Sequence, residues 1–386
     1  MTTVIKNGKL ISDNKIEENL NLYFEDGKIT AITKENLPYD SEIDANGAYV
    51  SPGFIDIHVH GGAGFEFVDG TEEAIKTAAN IHAKHGTTTI YPTISAYDNK
   101  KTSIALDALK KYKDDADVLP NIYGAHLEGP YFSPKQTGAQ DPSYIRNPDP
   151  EEYEKLFADY GDVIKHWSYA PELGGADEFL NFLNEKGIVA AAGHTDAEYE
   201  HMKKAYDNGM KLITHLYSCT STITRKSGFR ILGVIETSYL YDDIDVETIA
   251  DGCHLPPDLL KLIYKIKTDE HMCLVTDAIR YGGMADIENV TCENGNMPYK
   301  IEDGVAKLID GSAFAGSIAT TDVLVRTCTK RAGIALESAV KMITEVPARI
   351  MKLDTKGSLK VGYDADIVIF DDDINVIKTI VNGNVL

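Results

Sequence analysis

The sequence predicts an α/β fold: a (β/α)8 TIM-type barrel that carries a small β-sandwich domain built from both chain termini. Through the middle of the chain, apolar strand-like runs alternate with amphipathic helical patterns, as expected for a parallel sheet with crossover helices. Both ends instead contain short runs rich in Val and Ile, broken by turn residues and without a helical period. We therefore assign residues 1–51 and 354–386 to the small domain and residues 52–353 to the barrel.

Short strand patterns separated by turns make up both parts of the small domain. Asp26-Gly27 and Asn382-Gly383 are typical turn signals between two such runs. Because the two ends of the chain resemble each other and differ from the middle, we expect them to join in one domain. The runs cover residues 4–11, 21–33, 45–50, 357–371 and 374–386.

Apolar runs in the middle of the chain can supply the eight parallel strands that close a barrel of this type. After the first run, residues 71–85 form an amphipathic helical pattern that Gly86 ends. Long connections follow strand three (residues 130–150) and strand eight (residues 279–319), at the end of a barrel where substrates usually bind. The strand candidates are residues 54–60, 87–93, 122–128, 163–170, 188–194, 212–217, 244–251 and 272–277.

The charge and the cysteine content limit the possible partners and location. The 386 residues include 38 Lys and Arg against 60 Asp and Glu, giving a formal net charge of −22 without any basic run. Nucleic acid and anionic membrane surfaces are therefore poor partners, and an anionic substrate would need a local cationic cluster. No run approaches the ~18 apolar residues that cross a bilayer, and the amino terminus lacks an apolar leader. With five widely spaced cysteines, this predicts a cytoplasmic protein with reduced thiols.

Polar residues at the carboxyl ends of the predicted strands are potential metal ligands, and active sites of such barrels lie at this end. Side chains alternate faces along a strand, so His58 and His60 point the same way. Imidazole and carboxylate ligands together suit Zn²⁺ or Fe²⁺, and three protein ligands with an open position are typical of a catalytic site. The candidate metal ligands are His58, His60, Glu128, His194, His215 and Asp277, and His254 follows strand seven.

This set of residues predicts metal-assisted hydrolysis. A bound metal lowers the pKa of water toward ~7, so that the water attacks a carbonyl which the same metal polarises. Asp277 is predicted as the catalytic group that takes a proton from the water and returns it to the leaving group. His254 is predicted to hydrogen-bond the substrate carbonyl oxygen.

The other histidines are predicted to have no direct role. His126 lies two residues before Glu128, deeper in the barrel, where a structural or supporting role is expected. The rest occupy helical or connecting positions and are expected to be solvated; they are His82, His85, His166, His201 and His271.

A series of short motifs spans the chain: SPGFIDIHVHGG, GAHLEGP, AAGHTDA, THLY, IADGCHL, LVTDA and FAGS, in that order. The series resembles the amidohydrolase superfamily, and within it the N-acetylglucosamine-6-phosphate deacetylase family. The closing GSLKVGYDADIVIFD is similar to the small sheet domain found across the superfamily. The resemblance implies a homodimer that binds one or two divalent metals and hydrolyses the acetamide of an amino-sugar phosphate.

The resemblance also implies roles for individual residues. Glu128, His194 and His215 match the family's metal ligands, His254 matches its substrate-contacting His, and Asp277 matches its catalytic acid and base.

A second metal position is implied by the intact pair His58 and His60, which matches the strand-one motif of members with two metals. Many relatives in the superfamily bridge their metals with a carboxylated Lys at the end of strand four. This chain has Tyr169-Ala170-Pro171-Glu172 there. Glu128 is therefore expected to be the shared ligand.

The chain departs from the family pattern in the segments expected to bind substrate. The family has Asn-Ala-Met where this chain has Ser218-Cys219-Thr220. It then has Arg-Glu-Pro-Gly, whose Arg reaches the phosphate bound in the partner subunit, where this chain has Arg225-Lys226-Ser227-Gly228. Gln140 stands where some members have a substrate-contacting His. The expected substrate-binding residues are Gln140, Ser218, Cys219, Arg225, Lys226, Arg230 and His254.

Three other functions remain open. The altered loop after strand six is compatible with another N-acyl amino sugar, such as N-acetylgalactosamine 6-phosphate. A cyclic-amide hydrolase would use related chemistry, but the missing carboxylated Lys and the Asp-Gly-Cys-His run at residues 251–254 weigh against it. A catalytically inactive barrel that serves as a binding module would be expected to have lost metal ligands, and here none is missing.

Overall fold

The central sheet of the protein is the predicted parallel barrel. In the computed structural model, which describes residues 1–285, 287–292 and 297–386, a strand forms within each of the predicted runs. A short additional strand, Asn121–Ile122, precedes the third. The barrel strands, numbered one to eight in chain order, are Phe54–Val59, Thr87–Ile94, Ala125–Glu128, Ile164–Tyr169, Val189–Ala192, Leu212–Ile213, Asp245–Ile249 and Met272–Val275.

Backbone hydrogen bonds between the ends of strands one and eight close the ring. The amide of Asp277 donates to the carbonyl of His58 at 2.9 Å, and the amide of His60 donates to the carbonyl of Ala278 at 2.8 Å. Elsewhere each strand pairs in parallel with its neighbours in chain order. The closure therefore joins the backbone segments that carry three of the predicted metal ligands.

Helices connect the strands, and the first of them confirms the predicted helix. Glu72–Lys84 begins where the hydroxyl of Thr71 accepts a hydrogen bond from the amide of Ala74, and Gly86 follows its end with a φ of 92°. Among the described residues, no helix has the length and apolar character needed to cross a membrane. The other α-helices are Asn99–Tyr112, Pro150–Tyr160, Ala176–Lys186, Tyr199–Asp207, Val234–Leu240, Pro257–Lys267, Thr321–Arg326, Leu336–Ile343 and Glu345–Ile350.

Strands from both termini form one eight-stranded sheet that is separate from the barrel sheet. Its two parts meet at Tyr49–Pro52, which pairs antiparallel with Ile367–Phe370 and in parallel with Thr3–Ser12. This arrangement confirms a small domain built from both termini, whereas the residue boundaries given above stay a prediction. The remaining strands of the sheet are Lys15–Glu25, Lys28–Thr33, Ser41–Asp44, Val376–Val381 and Asn384–Val385.

The long connections differ in structure. Residues 130–149 contain neither helix nor strand. The connection after strand eight, of which residues 286 and 293–296 lie outside the described residues, contains a three-stranded antiparallel sheet. A hairpin formed by Thr224–Lys226 and Phe229–Ile231 follows strand six. The three-stranded sheet comprises Val290–Cys292, Tyr299–Glu302 and Val305–Leu308.

The smaller elements lie elsewhere in the chain. They are the hairpin Gly61–Gly62 with Phe65–Glu66, the 3-10 turn Phe67–Asp69 and the π-helical turn Thr327–Arg331.

Two histidines that were expected to be solvated, His82 and His166, are fully buried, so that expectation is wrong for them. His82 lies on the buried face of the helix Glu72–Lys84, and its Nε2 is 2.9 Å from the carbonyl oxygen of Gly61. The ring of His166, on strand four, stacks on that of His126 at a centroid distance of 3.9 Å. Burial lowers the pKa of both buried rings to about 4. The others expected to be solvated, His85, His201 and His271, keep exposed surface.

Candidate active site

All six predicted metal ligands converge at the carboxyl ends of the barrel strands, in two groups. Each group offers three ligand atoms that all lie within 4.8 Å of one another, and every member is buried. The first ligand group consists of His58, His60 and Asp277, and the second ligand group consists of Glu128, His194 and His215.

Glu128 lies between the two groups. Its Oε1 is 3.0 Å from Nε2 of His194 and 3.0 Å from Nε2 of His215. The same carboxylate reaches toward the first ligand group, with Oε1 at 3.6 Å from Nε2 of His58 and Oε2 at 3.4 Å from Nε2 of His60. One carboxylate is thus positioned to be shared by two metal ions.

Three of the ligand residues adopt an unusual backbone conformation. The φ angle is 45° at His194, 27° at His215 and 48° at Asp277, in the left-handed region that non-glycine residues rarely adopt. Such conformations cost of order 1–3 kcal/mol and cluster at functional sites. The sequence places these residues at strand ends, whereas each lies two residues beyond its strand. Because of the left-handed turn, the side chains of these three residues do not follow the alternation between the two faces of the preceding strand.

The ring of His194 presents Nε2 to the second ligand group. Its Nδ1 lies 2.8 Å from the carbonyl oxygen of Gln136, which only accepts, so in the neutral ring Nδ1 carries the proton and Nε2 a lone pair. Nε2 is also 3.2 Å from Nε2 of His215. Two imidazole nitrogens and the Glu128 oxygen converge in the manner of ligands around a metal ion.

Negative charge dominates this centre. Glu128, Asp277 and Glu247 are buried, and in the described part of the chain the ion-pair partners of these carboxylates are histidines. Burial alone would lower the pKa of His58, but Asp277, Glu247 and Glu128 outweigh it and raise that pKa to about 10. Buried carboxylates need compensating positive charge. With imidazole and carboxylate donors, the residues fit a divalent metal ion.

Asp277 and His254 both line the cavity described below. Burial would raise the pKa of Asp277, but His58 and His60 outweigh it and lower that pKa, so the carboxylate is ionised at neutral pH and can accept a proton. Nδ1 of His254 lies 2.7 Å from Oδ2 of Asp251, which orients the ring. The geometry suits the two predicted catalytic roles, which stay predictions.

A cavity of about 640 Å³ contacts both ligand groups, a size typical of small-molecule sites. Gln140 is tied to the centre as well as to the cavity, since its Nε2 donates to Oε2 of Glu128 at 2.6 Å and its Oε1 accepts from the amide of Ala96 at 3.0 Å. The predicted substrate-binding residues that line the cavity are Gln140, Ser218, Cys219 and His254, and its aromatic residues are Tyr97, Tyr217, Tyr299 and Phe314.

The predicted cationic residues do not lie at this cavity within the one chain. Arg225, Lys226 and Arg230 are exposed on the hairpin after strand six and are absent from the cavity wall. Of the Lys and Arg residues in the described part of the chain, Lys135 alone lines the cavity. Its Nζ lies 2.8 Å from Oδ2 of Asp196.

Lys135 and Glu247 are site residues that the sequence reasoning missed. Lys135 lies in a long connection, where the sequence carries no signal for it. Glu247 has one: it is a carboxylate in the middle of the predicted strand seven, and its Oε2 lies 3.0 Å from Nδ1 of His58.

Comparison with known proteins places the chain in a family. A model of the amidohydrolase family matches residues 49–386. The chain belongs to this family. An amidohydrolase relative, the N-acetylglucosamine-6-phosphate deacetylase of Lysinibacillus sphaericus, is 32% identical over 100% of this chain and 98% of its own length. The N-acetylgalactosamine-6-phosphate deacetylase of Escherichia coli O157:H7 is 28% identical over 99% of each chain.

A solved structure supports the same placement. The crystal structure of N-acetylglucosamine-6-phosphate deacetylase from Pasteurella multocida matches with a TM-score of 0.92 at 28% identity, over 100% of both chains. The family resemblance carried by the motifs is confirmed, as is the barrel fold with its small domain from both termini.

Proposed function

We propose that the protein hydrolyses the acetamide of N-acetylglucosamine 6-phosphate to glucosamine 6-phosphate and acetate. The observation that carries the proposal is the position of Glu128 between two buried ligand groups, with Asp277 lining the same cavity. The full-length similarity to a deacetylase of this substrate, at 32% identity, supports the choice of sugar.

The proposed cofactor is a divalent metal, Zn or Fe, with one or two ions per subunit. The second ligand group would hold one ion, and the first ligand group, with Glu128 shared, would hold the other. When bound, the metal lowers the pKa of a water molecule and polarises the amide carbonyl.

Asp277 would move the proton in both halves of the reaction. Its ionised carboxylate takes a proton from the attacking water as the bond to the acetyl carbon forms. It gives that proton to the sugar nitrogen as the C–N bond breaks, so acetate and the free amine leave. His254, with its ring oriented by Asp251, hydrogen-bonds the carbonyl oxygen as negative charge develops there.

Acetate release from a panel of N-acetylhexosamines tests this proposal. The panel contains the gluco and galacto sugars, each with and without the 6-phosphate, and metal content is determined on the same sample. We expect the highest kcat/KM with N-acetylglucosamine 6-phosphate.

Other outcomes of the panel distinguish the alternatives. A preference for N-acetylgalactosamine 6-phosphate would favour the activity of the Escherichia coli relative, consistent with the departure at Ser218. If no sugar of the panel is hydrolysed but a cyclic amide assayed beside it is, the protein catalyses a different reaction. Metal binding without turnover of any of these compounds would indicate a binding module.

We further infer that the protein is a homodimer in which the hairpin after strand six reaches the cavity of the partner. Arg225 and Arg230 are directly paired across the hairpin, so both side chains lie on one face. Like charges in this arrangement destabilise the hairpin unless an anion compensates them. Phe229, which is 74% exposed near the turn, is suited to contact with a second chain.

Arg225→Ala is expected to raise KM for the phosphorylated sugar ~10–100-fold, because charge-assisted contacts to phosphate are worth roughly 1.5–3 kcal/mol. KM for the unphosphorylated sugar should change little. Lys135→Ala, which removes the cation from the chain's own cavity, is expected to have a smaller effect. Equal losses on both sugars would assign Arg225 to the fold or the dimer, and a larger effect of Lys135→Ala would place the phosphate contact within one chain.

A cytoplasmic location is also proposed. None of the five cysteines, all of which lie in the described part of the chain, forms a disulfide bond. This is the pattern expected in a reducing compartment.

A further inference from the structure

Glu247 is a fully buried carboxylate in the middle of strand seven. Its Oε2 accepts a hydrogen bond from Nδ1 of His58 at 3.0 Å. The same oxygen accepts from the backbone amide of His215 at 3.2 Å. One oxygen atom of Glu247 therefore contacts a member of each ligand group.

Burying a carboxylate at this position costs free energy of desolvation. The other oxygen, Oε1, has no hydrogen-bond partner among the described residues, and Nε2 of His166 lies 4.0 Å from it. An apolar side chain would cost less at a buried position of this kind. What a carboxylate contributes there, and an apolar side chain cannot, is its hold on His58 and His215.

The contact with His58 determines which nitrogen faces the metal position. In the neutral ring, the form that binds a metal, Nδ1 donates to Glu247 and Nε2 carries the lone pair. Nε2 lies 3.4 Å from Oδ1 of Asp277 and 3.3 Å from Nε2 of His60. A ligating His that donates its other N–H to a carboxylate is held in one tautomer and one orientation and becomes a better metal ligand.

The contact with His215 acts on the backbone. His215 has a φ of 27°, outside the regions that non-glycine residues favour. A hydrogen bond from its amide to Glu247 stabilises this turn, which directs the ring toward Glu128. The same carboxylate thus supports a ring in one group and a backbone turn in the other.

We infer that Glu247 is a positioning residue. By holding the ring of His58 it determines how tightly the first ligand group binds a divalent metal, and by its bond to the amide of His215 it supports the backbone turn that carries a ligand of the second group. The inference rests on the metal site of the proposed function and is independent of the identity of the sugar.

Titration of the metal-free protein with Co²⁺, followed by visible absorption, tests the inference without any substrate. We expect the wild type to bind two ions. Glu247→Ala should weaken the binding of one of them by roughly 10–100-fold, the effect typical of removing a partner of a metal ligand. Glu247→Gln keeps an oxygen acceptor at the same place and should recover most of this affinity.

A double variant and a matched control separate positioning from general stability. If Glu247 acts on the first ligand group mainly through His58, the double variant Glu247→Ala with His58→Ala should lose little more affinity than His58→Ala alone. Asp245→Asn removes a carboxylate from the start of strand seven, where Asp245 is bonded to Arg349 and His271. It should lower Tm and leave both Co²⁺ affinities unchanged.

Each result decides between positioning and other roles. Unchanged Co²⁺ binding by folded Glu247→Ala would overturn the inference, as would a Glu247→Gln variant that is as defective as Glu247→Ala. If Glu247→Ala does not fold, Glu247→Asp, whose carboxylate is one methylene shorter, should show the weakened binding, and wild-type affinity there would overturn the inference. A wild type that binds a single ion would overturn the inference and leave the proposed function standing, whereas a wild type that binds no metal would overturn both.

Discussion

Asp277→Asn is expected to abolish most of the turnover, with kcat lower by at least ~10²–10⁴-fold, because the amide cannot accept the proton of the attacking water. The loss should be large since the same carboxylate is assigned two proton transfers. KM should change little by comparison, because Asp277 acts on the water and the leaving nitrogen. Steady-state rates of acetate release on metal-loaded protein measure the effect.

Metal analysis of the same variant separates proton transfer from ligation. The second ligand group does not include Asp277, so at least one ion per subunit should remain bound. Asp322→Asn is a matched control, because Asp322 is also buried but is paired with His85 and Arg326. It should retain the wild-type rate. An Asp277→Asn protein with more than a tenth of the wild-type rate would remove Asp277 from its proposed role.

Glu128→Gln is expected to lose both metal and activity. The carboxylate of Glu128 lies within 3.0 Å of two ring nitrogens of the second ligand group and within 3.6 Å of two in the first. A neutral amide supplies one weaker oxygen ligand and no charge. We expect metal affinity to fall by more than the roughly 10–100-fold that is typical when a hydrogen-bond partner of a metal ligand is removed. When metal is limiting, activity should fall in parallel.

His126→Gln provides the control for that experiment. His126 is buried close to His58, but its ring nitrogens bond to the hydroxyls of Thr93 and Ser168. Its replacement should lower stability and leave the number of bound metals at the wild-type value. Full metal occupancy in purified Glu128→Gln, measured by elemental analysis, would exclude Glu128 as a ligand.

The sequence predicts the barrel and its ligand residues because their signals are local. Each strand is a short apolar run, and the ligands lie at or just beyond the ends of those runs, where the parallel topology brings them together. The predicted strand over residues 212–217 shows the limit, since only Leu212–Ile213 forms a strand. The left-handed turns at His215 and Tyr217 end the pairing, and residue type alone does not reveal such turns.

Contacts between different barrel strands were outside the reach of sequence reasoning. His166 is fully buried, and its ring stacks on that of His126, which lies opposite it on the neighbouring strand three. The position of Glu247 against His58 likewise joins strands seven and one, 189 residues apart in the chain. In the proposed homodimer, Arg225 reaches the substrate of the partner, and no pattern in this sequence gives the position of a second chain.

Acetate release from N-acetylglucosamine 6-phosphate, measured before and after metal removal, tests the central proposal most directly. We expect one acetate and one glucosamine 6-phosphate for each substrate consumed by the metal-loaded protein. Removal of metal by a chelator should abolish the reaction, and addition of Zn or Fe should restore it. Acetate release that persists after elemental analysis finds no metal, or no release at any metal loading, would contradict the proposal.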